Sequence, residues 1–212
     1  VAVVESQLDE ERERDTVDGA LGLGLWNQVC RGTGAEPPAE ADLVFVCPEE
    51  RRVFAHKAVV AAFCPSFASR LRGGGRRGVW RVRCEEIPAQ ALWEALHFVY
   101  QRKVSPGLHR APLAQVLEAG RLFGEPRLLR LEVERLLLLL LHSLPAAQAQ
   151  QELIRLYTLA QVYRLPVLLN AVHTRAYTDH PSLLPTLRQT RDRLRATSAV
   201  RPTSIFKTAK PI

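Results

Sequence analysis

Two apolar segments on either side of a short polar turn constrain this chain more than anything else in it. The first, Asp42-Leu43-Val44-Phe45-Val46, is an acidic residue opening a run that is apolar on both faces, the composition of a buried strand. The second, residues 53–67, reads Val-Phe-Ala-His-Lys-Ala-Val-Val-Ala-Ala-Phe-Cys-Pro-Ser-Phe. An extended Val53-Phe54 runs into a small Ala- and Val-rich helix, with His56-Lys57 at its mouth and Pro65 as its stop. Pro48-Glu49-Glu50 between the segments is turn-like, so residues 43–47 and 51–54 predict a hairpin and residues 55–63 a helix.

The pattern then changes from extended to helical. Residues 79–84 alternate, Trp80, Val82 and Cys84 on one face and Arg81 and Arg83 on the other, which predicts a half-buried strand. Pro88 opens a stretch in which Leu92, Leu96, Val99 and Tyr100 follow helical spacing until Ser105-Pro106-Gly107 breaks it. Leu113, Val116 and Leu117 start another helix, Phe123-Gly124-Glu125-Pro126 is a helix–helix corner, and residues 128–141 follow as a third. Tyr163-Arg164-Leu165-Pro166 repeats that corner with the proline in register, after a stripe of Leu153, Leu156, Tyr157 and Ala160. Two such units predict two helical hairpins, since helical pairs must bury their apolar stripes against something. The fold class expected is α+β, a small sheet capped by helical hairpins and followed by an additional hairpin.

Four regions follow. Residues 1–39 form an acidic extension ending in the linker Gly32-Thr33-Gly34-Ala35-Glu36-Pro37-Pro38; residues 40–141 form the main domain; residues 142–182 form a helical tail. Residues 183–212, rich in proline and arginine, are expected to be a basic, flexible tail. The net charge of +7 is uneven: the first twenty residues hold seven acidic side chains against two basic ones, so the arginines dominate elsewhere.

Composition removes several function classes. The apolar run 136–141 is far short of the roughly 20 residues that cross a bilayer, so no membrane partner is expected. Asp9, Glu10, Glu11 and Glu13 stand where a secretory leader would be apolar, and the four cysteines form no Cys-x-x-Cys pair. Reduced thiols in the cytoplasm or nucleus are the expectation. No Gly-x-Ser-x-Gly elbow is present, Gly73-Gly74-Gly75-Arg76-Arg77 lacks the Lys-Ser/Thr of a phosphate loop, and the histidines have no metal-ligand spacing. No enzyme, metal or cofactor is expected. The arginine groups lack interleaved aromatics, so nucleic acid is not an expected partner either.

The order strand, strand, helix, strand, helix, helical hairpin resembles the BTB/POZ domain. Four motifs carry the likeness: Ala41-Asp42-Leu43-Val44-Phe45; residues 53–62; Phe98-Val99-Tyr100-Gln101-Arg102-Lys103-Val104, like the family's Phe-x-Tyr-x-Gly-x-Val; and residues 122–128. The resemblance implies a non-catalytic protein-interaction module that homodimerises, with Asp42 and Lys57 as a charged pair at the dimer face and His56 as a structural residue beneath the sheet. It further implies a partner surface at Phe67, Arg70, Leu71 and Tyr100. Its most concrete form is a substrate adaptor for a cullin-type E3 ubiquitin ligase, with residues 145–180 as the tail helices of such adaptors. The alternative is a scaffold or transcription-related oligomeriser that meets no cullin. Cullin-binding members carry a hydrophobic-x-Glu motif after the Pro-x-Phe helix, whereas residues 67–73 here read Phe-Ala-Ser-Arg-Leu-Arg-Gly.

Overall fold

The computed structural model describes residues 41–64, 68, 79–105, 108, 110–124 and 127–198. The chain divides into two compact units with the boundary between Arg130 and Leu131. The first unit holds a three-stranded sheet of β1 (Leu43–Val46), β2 (Arg52–Ala55) and β3 (Trp80–Arg83). Its helices are α1 (Lys57–Phe63), α2 (Ala89–Gln101) and α3 (Arg110–Leu122), with the first turn of α4 (Arg127–Ser143).

The sheet order is β2-β1-β3, so β1 is central. It pairs antiparallel with β2, Val44 opposite Phe54, and parallel with β3, Phe45 opposite Val82. A central strand is covered on both faces, which is why Leu43, Val44 and Phe45 are all buried. β3 lies at the edge and keeps the alternation its sequence announces, Trp80 and Val82 in, Arg81 and Arg83 out.

The β1–β2 connection is a tight turn over Pro48–Glu50, closed by the Arg51 N–H donating to the Pro48 carbonyl at 3.3 Å. Glu49 (φ 60, ψ 27) and Glu50 (φ 56) both have left-handed backbone. That is the type I′ arrangement, whose twist suits a hairpin but which favours Asn-Gly over two glutamates. A left-handed side-chain-bearing residue recurs at Arg102 (φ 57), which ends α2 at the place where the quoted motif has glycine. There the guanidinium lies 4.2 Å over the Phe63 ring, a cation–π contact that offsets part of the backbone strain.

α2 packs against β2, α1 and α3, and Leu92, Ala95 and Leu96 are fully buried along its inward stripe. Glu94 is also buried; its carboxylate accepts the Ser105 N–H (3.2 Å) and the Gln90 amide (3.3 Å), tying the chain that leaves α2 back onto the helix. Phe45 of β1 meets Phe123 edge-on at 5.9 Å, which joins the sheet to the corner after α3.

The second unit comprises the rest of α4 with α5 (Ala146–Tyr163), α6 (Pro166–Asp179) and α7 (Leu184–Ser198). Residues 184–198 are therefore helical, not the flexible tail expected. Leu183 and Leu187 are buried, and α7 packs on α5 and α6. Pro185 sits in the first turn, where a missing N–H costs no helical bond. Residues 199–212 and 1–40 lie outside the described residues.

The two corners that repeat in sequence repeat in backbone. Gly124 (φ 90) and Arg164 (φ 54) are both left-handed, each directly after an aromatic residue. At the second, the Leu165 N–H reaches back to the Ala160 carbonyl (2.9 Å), a Schellman closure that satisfies an end-of-helix carbonyl.

Two polar links tie α4 to α6. Glu134, 1% exposed, accepts the Leu168 N–H at 2.9 Å in the first turn of α6. Arg175 of α6 donates to the Leu141 carbonyl and, at 2.6 Å, to that of Leu144, at the far end of α4. Both links join residues 34 apart in the first case and 34 in the second for Leu141, so the two helices run parallel and in step. A carboxylate lies at a helix N-terminus and a guanidinium at a C-terminus, the signs that both macrodipoles favour.

Candidate functional site

Asp42, His56, Lys57, Trp80 and Tyr100 meet where the sheet hands over to α1. α1 has no side chain of its own capping its first turn, because His56 at the cap position makes no such bond. Asp42, fifteen residues earlier, supplies it: Oδ1 accepts the Lys57 N–H at 2.7 Å. The Asp42 carbonyl meanwhile accepts the Trp80 N–H at 2.9 Å, so one residue fixes the start of α1 and the start of β3. Asp42 thus meets Lys57 at its main-chain amide. Its ammonium lies 5.8 Å from the centre of the Trp80 ring, within cation–π range.

His56 is half-buried and bound twice to Tyr100. Its main-chain N–H donates to the Tyr100 hydroxyl oxygen at 2.8 Å, and its Nδ1 stands 2.9 Å from the same atom. The strand–helix junction is thereby anchored to the end of α2.

That geometry corrects the role expected of Tyr100. It is 5% exposed and its hydroxyl is committed to His56, so it is an anchor of the fold and not part of an exposed partner surface. Phe67, Arg70 and Leu71, the other residues of that surface, lie outside the described residues. The sequence reading also missed Asp42 as a helix cap and Glu94 and Glu134 as buried acceptors. A buried carboxylate leaves a trace only as an acidic residue within an apolar stripe, as Glu94 does between Leu92 and Leu96.

Near the same helices, His97 stacks on Trp93 (5.3 Å between rings, 19° apart). Burial lowers its pKa from the usual 6.5, with Glu94 pulling weakly the other way. Burial pushes the Cys64 thiol up to about 12. Among the described residues no group of three or more His, Cys, Asp or Glu could hold a metal ion. Within the same residues no helix is long and apolar enough to cross a membrane.

A sheet edged by a parallel strand, with its helix mouth pinned to a central strand, is the framework in which comparison with known proteins becomes informative. Residues 35–137 match the family model of the BTB/POZ domain. The chain is a BTB/POZ domain protein. Among solved structures it is similar to the BTB domain of zebrafish PATZ1, at 19% identity and a TM-score of 0.42, over 59% of this chain and 92% of that one. No curated protein matches the sequence significantly. The BTB/POZ domain is a protein–protein interaction and oligomerisation fold, and that general role extends to this chain.

Proposed function

We propose that the BTB/POZ domain of this chain homodimerises, and that the chain acts as a non-catalytic substrate adaptor for a cullin-type E3 ubiquitin ligase. One observation carries this reading: directly behind the family match stand three further helices, α5 to α7, with Leu153, Leu156, Tyr157, Leu168 and Val172 buried among them. Helices in that position extend the cullin contact of the adaptors that the sequence resembles. The buried thiols of Cys47, Cys64 and Cys84, all unbridged, agree with a cytoplasmic or nuclear setting.

A second reading is favoured by one feature of the sequence. The segment from Phe67 to Gly73 has arginines and no glutamate where cullin binders place a hydrophobic-x-Glu motif. A BTB scaffold or transcription-related oligomeriser fits that segment better. Titration of the full chain with a cullin N-terminal domain separates the two. The adaptor reading expects a complex with a Kd on the order of micromolar or tighter; no complex at about ten times that concentration sinks it. Sedimentation tests the dimer separately, and a clean monomer at tens of micromolar overturns it.

A further inference from the structure

The sheet places two cysteines side by side that the sequence keeps far apart. β1 and β3 pair parallel with Val46 opposite Arg83, and the next residues along are Cys47 and Cys84. The Cys84 N–H donates to the Val46 carbonyl at 2.8 Å, so the pairing continues past the last strand residue. Parallel neighbours lie about 4.8 Å apart, within the Cα separation of about 4.4–6.8 Å that a disulfide spans. Cys47 and Cys84 belong to the face that carries Phe45 and Val82, and each is 4% exposed. The Cys84 thiol itself donates to the Val82 carbonyl at 4.0 Å.

We propose that Cys47 and Cys84 form a redox-active dithiol that closes to a cross-strand disulfide when the chain meets a small-molecule disulfide such as oxidised glutathione. The thiolate of Cys47 attacks one glutathione sulfur, forming a mixed disulfide and expelling one glutathione thiolate. Cys84 then gives up its proton and attacks the Cys47 sulfur, expelling the second glutathione. Two protein thiols are oxidised, one glutathione disulfide is reduced to two thiols, and no other reactant is consumed.

The environment divides these roles. The nearby Cys84 lowers the pKa of Cys47, whereas Cys47 and burial raise that of Cys84. Cys47 is thus the attacking sulfur and Cys84 the resolving one. Access comes from the hairpin end. Cys47 leads straight into the exposed residues Pro48, Glu49, Glu50 and Arg51, where the left-handed pair Glu49-Glu50 stores strain, and Cys84 leads into exposed Glu85 and Glu86. Opening of that rim uncovers both sulfurs while the rest of the sheet stays paired.

The test incubates the full chain, folded, with oxidised glutathione and maps its cysteines by mass spectrometry of a non-reduced digest, with circular dichroism recorded in parallel. The expected product is a Cys47–Cys84 peptide pair lighter by two hydrogens, restored by dithiothreitol. In urea the preference for this pair over bridges to Cys30 or Cys64 is lost, because unfolding removes the register that aligns the sulfurs. Three results overturn the proposal: Cys47 and Cys84 both remaining reduced in a chain that is still folded, a glutathione adduct persisting on either one, or bridges to Cys30 or Cys64 forming in preference. A chain carrying Cys30→Ser and Cys64→Ser gives the same answer with the competing thiols removed, and loss of its bridge would overturn the assignment equally.

Discussion

α1 in the sheet unit and α6 in the helical unit face the same problem and solve it in the same way, to different depths. Neither helix is capped by the side chain at its own cap position, His56 in one and Leu165 in the other. Each borrows a carboxylate from an earlier element, Asp42 for the Lys57 amide and Glu134 for the Leu168 amide. The difference lies in burial. Asp42 is half-buried at a strand end, whereas Glu134 is 1% exposed inside a helical packing. A borrowed cap near the surface can be replaced by water, and a buried one cannot, so the two carboxylates should differ in how much their loss costs.

Glu134→Ala gives the largest effect, about 3 kcal/mol, because it leaves a buried amide unsatisfied and a cavity beside it. Asp42→Ala should cost about 1–2 kcal/mol, the usual loss of a helix cap. Urea denaturation of the full chain measures both, and hydrogen exchange locates them. The first variant should lose protection in α6, and the second in α1 and at the β3 amide of Trp80. Equal losses from the two substitutions would remove burial as the distinction between them.

Tyr100→Phe probes the sheet unit without touching the cap. It leaves the His56 amide without its acceptor and should cost about 1–2 kcal/mol in the same urea experiment. A neutral outcome would show that the hydroxyl adds nothing to the packing of the ring.

Relief of strain should act in the opposite direction. Glu49→Asn with Glu50→Gly suits the type I′ turn and should stabilise the chain by about 0.5–1 kcal/mol, read as a raised midpoint. A lowered midpoint would mean that the two glutamates contribute contacts worth more than the backbone strain.

The smallest effect belongs to His97. Its folded pKa lies below that of the unfolded chain, so folding favours the neutral ring. The resulting stability is fully present above pH 6.5 and is lost as the pH falls through the lowered value. His97→Gln should flatten that part of the stability–pH curve, and an unchanged slope would assign it to other groups.

Most elements were legible because their signals are local. Apolar runs, the alternation at 79–84 and prolines at helix starts set β1, β2, β3 and α2 to within a residue or two of the observed ends. α7 escaped because arginines dominate its composition. The signal was present as the helical spacing of Leu183, Leu187 and Leu194, on a face too narrow to stand out. Tyr100 was misplaced for a different reason. A tyrosine at the end of a helix can equally cover a surface or send its hydroxyl inward, and only the position of His56 decides between these.

The sequence by itself determined most of the segments that become strands and helices, α7 apart, and it placed the corners at Phe123 and Tyr163. Those outcomes depend on side-chain periodicity and backbone stereochemistry within a few residues. The tertiary structure alone decided which carboxylate caps which helix, that Tyr100 holds His56, that α4 and α6 run in step, and that Cys47 lies beside Cys84. Each of these joins residues at least fifteen apart in the chain. Such pairings depend on the parallel register of β1 with β3 and on the packing of whole helices, which no local pattern encodes.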